Sequence, residues 1–193
     1  MTAGKLGTSG EKTDAYSAFR LMSDSDPAPR IELSARKGPG TFVERKAMRR
    51  LYYAAFTYTI LGLLGGLYYR ELTKAQDFPE DGFTQLSVVH THLFALGLLV
   101  MLVVLALEKS FGLSRSKLFD WFFWLYNAGI VLTVGMLFAH GTMTVMGTEE
   151  VSPAISGIAG LGHILLTIAL VLFFLALGKA VKAESAQPQK VHA

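Results

Sequence analysis

The chain begins with a polar stretch and then alternates long apolar runs with short polar connections. Residues 1–46 are rich in Gly, Ser, Pro and charged side chains. Such a segment buries too little apolar surface to offset the entropy of ordering, so we predict a disordered leader. Four apolar runs follow, each close to the roughly 20 residues that a helix needs to cross a ~30 Å hydrocarbon core. Their approximate limits are 47–69, 86–107, 118–140 and 154–177.

These runs lack the continuous polar stripe that marks a helix of a soluble bundle. The connections between them are short, and helices joined in this way pack as antiparallel neighbours. The sequence therefore predicts an all-α fold: an integral membrane up-down-up-down four-helix bundle over residues 47–181, followed by a tail over 182–193. At 193 residues the chain suits one folded domain.

Lys and Arg are distributed unevenly between the two ends of the predicted helices. Sixteen of the 18 lie in the leader and its junction with the first helix, in the second connection or in the tail. Only Arg70 and Lys74 lie in the other two connections. Because cytoplasmic segments carry the excess of positive charge, we predict that both termini are cytoplasmic.

Composition limits the chemistry that is available. The chain has no cysteine, which excludes disulfides, zinc–thiolate sites and iron–sulfur clusters. It contains no Gly-x-Ser-x-Gly elbow, phosphate-binding glycine loop or His-Glu-x-x-His motif. A non-catalytic role is therefore favoured over an enzyme, and the expected surroundings are a lipid bilayer, with no nucleic acid partner.

Four of the five histidines lie inside or at the end of the apolar runs: His90, His92, His140 and His163. Ionisable residues within a membrane are costly and usually face the bundle interior, which makes them candidates for function. In the predicted orientation all four belong to the outer half of the membrane. His92 points about 200° away from His90 at ~100° per residue, so the two occupy different faces of one helix.

Two histidines from different helices, flanked by small residues, are the arrangement that axial coordination of a b-type haem requires. We predict His90 and His163 as the haem ligands, with His92 and His140 as further candidates and Arg70 as the partner of a haem propionate. Such a protein would serve electron transfer or the sensing of a gas or redox state, with a membrane redox partner or as a homo-oligomer.

Two alternatives stay open. In the first, each histidine only hydrogen-bonds a neighbouring helix, and the protein is a non-catalytic subunit or an assembly protein of a membrane complex. In the second, Met136, His140, Met143 and Met146 share one face of the third helix, because they are spaced by four, three and three residues. Thioethers and imidazole suit Cu(I), so this set predicts a copper site in a copper or proton-coupled carrier.

Three segments together resemble a known family: residues 87–93 (SVVHTHL), 116–123 (SKLFDWFF) and 155–163 (ISGIAGLGH). They resemble a bacterial four-helix integral membrane family that is catalogued as a domain of unknown function, over roughly residues 49–181. The resemblance implies a multi-pass protein of the bacterial inner (plasma) membrane and no particular activity. Residues 89–92, followed by Gly97, are also similar to the histidine-bearing helices of haem-copper oxidase subunit I. This second likeness implies at most one haem and no oxygen-reducing centre.

Overall fold

The computed structural model describes residues 42–148 and 153–186, most of which form four long helices. α1 spans Phe42–Ala75, α2 spans Leu86–Phe111, α3 spans Lys117–Val145 and α4 spans Pro153–Ser185. All four are long and apolar enough to cross a membrane, and the described ranges contain no strand. The predicted all-α bundle of four membrane helices is confirmed.

The helices are longer than the apolar runs that predicted them. α1 has 34 residues, or about 51 Å at ~1.5 Å per residue, which exceeds the ~30 Å of a hydrocarbon core. Its first turns carry the exposed cations Arg45, Lys46 and Arg49, so this end of α1 continues beyond the apolar region. The predicted leader up to residue 41 and the end of the tail from residue 187 lie outside the described residues.

The two ends of the bundle differ in charge. At one end, here called the basic end, α1 and α3 begin and α2 and α4 end, among many of the Lys and Arg side chains of the described chain. At the other end, the acidic end, the α1–α2 connection carries Asp77, Glu80 and Asp81.

The helices do not pack symmetrically. α3 and α4 form the most extensive pair, α1 packs along the length of α2, and α2 also packs on α3. Among the described residues, α4 meets α2 mainly through the last part of α2, Val100–Phe111. α4 therefore lies against one neighbour over most of its length, and much of its surface is left open.

Two ion pairs join α1 to α3 at the basic end. Arg50 pairs with Asp120 at 2.8 Å, and Arg115, in the turn before α3, pairs with Glu44 at 2.7 Å. The Arg50 guanidinium also lies 5.5 Å from the centre of the Phe123 ring, a cation–π contact. These contacts hold the start of α1 against the start of α3.

The α2–α3 connection is built by its own polar residues. α2 ends at Gly112, whose φ of 61° is the left-handed conformation that ends many helices. Glu108 is buried and accepts hydrogen bonds from the Ser114 backbone N–H at 2.8 Å and from the Ser114 hydroxyl. Ser116 then caps α3 by accepting a hydrogen bond from the Leu118 N–H at 3.3 Å. The buried Glu108 carboxylate therefore organises this turn from the inside.

At the acidic end α3 approaches the start of α2 very closely. A Cβ at Gly141 would collide with the Leu86 backbone nitrogen, so only glycine allows this approach. The Thr84 hydroxyl donates to the Gly141 carbonyl at 2.9 Å. The first turn of α2, which leads to the two α2 histidines, is thereby fixed on α3.

Candidate functional site: the intramembrane histidines

The middle of α2 is a π-helical segment, Leu93–Leu99, which begins directly after the second α2 histidine. In a π-helix the backbone hydrogen bonds span five residues, and such turns occur often at functional sites. Within the segment, the Leu96 carbonyl accepts a hydrogen bond from the Tyr126 hydroxyl of α3 at 3.0 Å. Gly97 lies against the Tyr58 ring of α1, since a Cβ there would stand 2.5 Å from Cγ of that ring. Both neighbouring helices therefore contact the segment.

A polar pair crosses the bundle beside this segment. The Tyr58 hydroxyl donates to Oδ1 of Asn127 at 2.5 Å, and Nδ2 of Asn127 donates to the Phe123 carbonyl at 2.6 Å. Interhelical hydrogen bonds in membranes contribute roughly 0.6–2 kcal/mol. Sequence reasoning missed Asn127, although a single carboxamide within an apolar run is the signal that could have found it.

His90 is half-buried and faces α1. A Cβ at Gly66 of α1 would lie 3.8 Å from the His90 side chain, and the His90 ring meets Phe94 edge to face at a centroid distance of 6.4 Å. Its Nδ1 is buried without a hydrogen-bond partner in the described part of the chain, and its Nε2 lies 3.5 Å from the Thr91 hydroxyl. A buried polar atom without a partner is unfavourable, so this nitrogen is available to a ligand.

His92 is half-buried on a different face of α2. Its Nδ1 lies 2.8 Å from the Val88 carbonyl. A carbonyl only accepts hydrogen bonds, so Nδ1 carries the proton in this contact. In the neutral ring, Nε2 then has the free lone pair.

His163 is exposed on α4, about 15 Å from the start of the helix at ~1.5 Å per residue. Its Nδ1 lies 2.9 Å from the Ala159 carbonyl, so its Nε2 also keeps a free lone pair when the ring is neutral. No atom lies within 4 Å of a Cβ built on Gly157 or Gly160. The ring therefore stands beside an open surface of small residues.

The predicted ligand pair has two different sets of neighbours. His90 lies against α1, whereas His163 is exposed on α4, which packs on α3 and on the end of α2. Among the described residues no hydrogen bond or ring contact joins the two. The two predicted ligands therefore have separate surroundings.

The residues of the alternative copper site lie near the end of α3. His140, Met136 and Met143 are half-buried on α3, which continues through Gly141 and ends at Val145. Met146 follows the helix and is exposed. Within residues 42–148 and 153–186, no group of three or more His, Asp or Glu side chains is arranged to hold a metal ion.

Arg70 lies on α1 near the acidic end and is exposed. Its Nε pairs with Glu71 at 3.7 Å, a long contact between two solvated side chains that contributes little to stability. The guanidinium is thus accessible to another anion at this surface.

The fold and the histidines define the class of protein: a multi-pass integral membrane protein of four helices that carries ionisable rings within its spans. Within this class, residues 48–180 match the family described as "Protein of unknown function (DUF2871)", and the chain belongs to that family. The match includes α2, α3 and most of α1 and α4, and it confirms the resemblance to a membrane family of unknown function. No curated protein and no solved structure matches the chain.

Proposed function

We propose that this protein binds a b-type haem in the membrane and serves electron transfer or the sensing of a small gas. The observation that carries the proposal is His163, an imidazole held in one tautomer on the open surface of α4. A metal-ligating histidine typically donates one ring N–H to a carbonyl or carboxylate, which orients the ring and leaves the other nitrogen for the metal. The hydrogen bond from His163 to Ala159 has this form.

The surroundings of His163 fit a flat macrocycle. Gly157 and Gly160 leave open space above the α4 backbone, and an exposed imidazole in hydrocarbon is unfavourable unless a ligand or partner covers it. When bound, a haem supplies either reversible one-electron chemistry or a site for a diatomic gas. In this proposal each chain contributes His163 as a haem ligand.

The presence or absence of a second histidine ligand would distinguish the two roles. His90 offers a buried Nδ1 without a partner, but its ring faces α1 and not α4. We therefore assign His163 as the first ligand. A haem with one histidine keeps a position open for a gas, whereas a second histidine favours electron transfer.

The test compares two histidine variants. The protein is purified in mild detergent, reconstituted with haem and examined by absorption spectroscopy. We expect a Soret band in the wild type and in His92→Ala, and its loss in His163→Ala. His92 is a matched control because its Nδ1 makes the same bond to the carbonyl of the preceding turn. A wild type without a Soret band, or a full band in His163→Ala, would overturn the proposal.

A second candidate is an interaction subunit of a membrane complex. The observation that favours it is the exposure of α4, which has the highest mean hydropathy of the four spans, 2.6, and the smallest buried share, 22%. Small residues let helices approach closely in lipid, so Gly157 and Gly160 suit contact with a helix of another chain. The same experiment separates the two candidate functions, because an interaction subunit shows no Soret band in the wild type or in either histidine variant.

We also propose that both ends of the chain face the cytoplasm and that the membrane is the bacterial inner membrane. The support is the charge asymmetry, since sixteen of the 18 Lys and Arg lie toward the basic end or in the terminal segments. Cytoplasmic flanks carry this excess in membrane proteins. The four histidines of the spans then lie in the outer half of the bilayer.

A further inference from the structure

We propose that a groove between α1 and α3 binds one phospholipid with an amine-bearing headgroup. The groove has a volume of about 590 Å³ and lies in the half of the bundle toward the acidic end. Its floor is formed by Val89 and Leu93 of α2, and its walls include Leu64 of α1 and Val134 of α3. The volume falls in the ~300–1,000 Å³ range of ligand sites, and the lining is almost wholly apolar.

The groove lies between two contacts that join α1 to α3, one toward the basic end and one toward the acidic end. Toward the basic end, the Tyr58–Asn127 hydrogen bond joins the two helices. Toward the acidic end, the Tyr68 ring stacks on Phe138 at a centroid distance of 4.8 Å. Between these contacts lies Gly135, where no atom stands within 4 Å of a built Cβ. An acyl chain fits such a gap because it is narrow and apolar, and because no side chain of the described residues fills it.

The charges at the mouth of the groove select the headgroup. Glu71 is one of the lining residues, and it lies beside Arg70, both side chains being more than half exposed. A zwitterionic headgroup places a phosphate and an ammonium close together, so it can pair with Arg70 and Glu71 at once. The adjacent segment carries Lys74 together with Asp77, Glu80 and Asp81, and its net negative charge repels an anionic headgroup and favours one with an ammonium. The lipid proposal does not depend on haem binding.

The first test asks whether a lipid acyl chain occupies the groove. The full-length protein in mild detergent is mixed with phosphatidylethanolamine that carries a photoactivatable acyl chain, and labelled peptides are located by mass spectrometry. We expect labels on α1 between Leu61 and Glu71 and on α3 near Gly135. In Gly135→Leu we expect labelling to fall about tenfold, because the side chain removes the space for the acyl chain.

The matched control is Gly178→Leu, because Gly178 of α4 also has open space around its Cβ position but lies outside the groove. Leucine favours a helix more than glycine does, so both variants keep the fold, which circular dichroism checks. Labelling that stays the same in Gly135→Leu, or falls equally in the two variants, overturns the groove. Wild-type protein in which these α1 and α3 peptides stay unlabelled, as expected if a helix of a second chain covers the groove, overturns it as well.

The second test concerns the headgroup. Phosphatidylglycerol with the same photoactivatable chain is the anionic comparison. We expect the wild type to be labelled several-fold more by the amine lipid, and Glu71→Gln to reduce this ratio toward one. Equal labelling of the wild type by both lipids, or an unchanged ratio in Glu71→Gln, overturns the headgroup assignment.

Discussion

At the scale of single residues, the polar side chains within the spans make two kinds of hydrogen bond. The two histidines with hydrogen-bonded Nδ1 atoms, His92 and His163, satisfy one ring nitrogen on their own helix. Tyr126 and Asn127 instead make bonds that reach another helix. The bonds within one helix leave the second ring nitrogen of each histidine for a ligand. The bonds of Tyr126 and Asn127 join neighbouring helices, so the two groups of residues have separate roles.

Tyr126 tests the role of the π-helical segment. In Tyr126→Phe the Leu96 carbonyl loses its donor at 3.0 Å, so we expect the free energy of unfolding to fall by about 1 kcal/mol. Unfolding in mixed detergent micelles, followed by circular dichroism, measures the change. Tyr52→Phe is the control, because Tyr52 is exposed on α1, and its stability should match the wild type. An unchanged midpoint for Tyr126→Phe would show that the bond does not stabilise the segment.

At the scale of elements, neighbouring glycines of α4 have opposite surroundings. Gly162 is buried, and a Cβ there would collide with the Thr133 hydroxyl of α3. Gly160, two residues earlier, has open space. α4 therefore has one face that is committed to α3 and one that is free for a ligand or partner.

A pair of leucine substitutions separates the two faces of α4. In Gly162→Leu we expect a loss of about 3 kcal/mol in the free energy of unfolding, because the side chain forces α3 and α4 apart. In Gly160→Leu we expect a change within about 0.5 kcal/mol, since nothing is displaced. Unfolding in dilute detergent micelles compares them. Equal losses, or a larger loss for Gly160→Leu, would contradict the assignment of the faces.

The existence and type of all four helices were predictable, because runs of about 20 apolar residues leave few alternatives. The ends were not, since segments such as Phe42–Lys46 and Val181–Ser185 continue the helices with mixed polar residues that hydropathy does not detect. The sequence also did not indicate which face of α4 is buried. Its few polar residues include His163 and Thr167 on the exposed face, so polarity does not mark which of Gly160 and Gly162 is covered.

The candidate site was predictable only as a set of residue types. Four histidines within apolar runs stand out in the sequence, but their neighbours depend on how the helices are arranged around each other. That His90 faces α1 follows from its contact with Gly66, a relation between helices that spacing within one helix does not fix. The same holds for the π-helical segment and for Glu108, whose burial depends on the fold of the following turn.

At the scale of the whole molecule, charge asymmetry predicts how the bundle sits in the membrane. The chain has no cysteine, so a single cysteine introduced by substitution reports directly which side of the membrane its position faces. In intact cells we expect Glu80→Cys, at the acidic end, to react with a membrane-impermeant maleimide. Lys117→Cys, at the basic end, should react only after the membrane is opened. Both positions are exposed. The reverse pattern would contradict cytoplasmic termini.

Our proposals concern two surfaces of the described bundle, the α1–α3 groove and the face of α4 that is open around Gly157 and Gly160. We propose a lipid for the apolar groove and a haem for the α4 face, which presents His163. The contacts at the basic end, between Arg50 and Asp120 and between Arg115 and Glu44, hold the helices together away from both surfaces.

The most direct measurement is the absorption spectrum of protein purified gently from its own membranes, recorded oxidised and reduced. We predict a Soret band that shifts on reduction, with one haem for each chain or for each pair of chains. A spectrum without such a band, both as purified and after addition of haem, would contradict the proposal that the intramembrane histidines hold a haem.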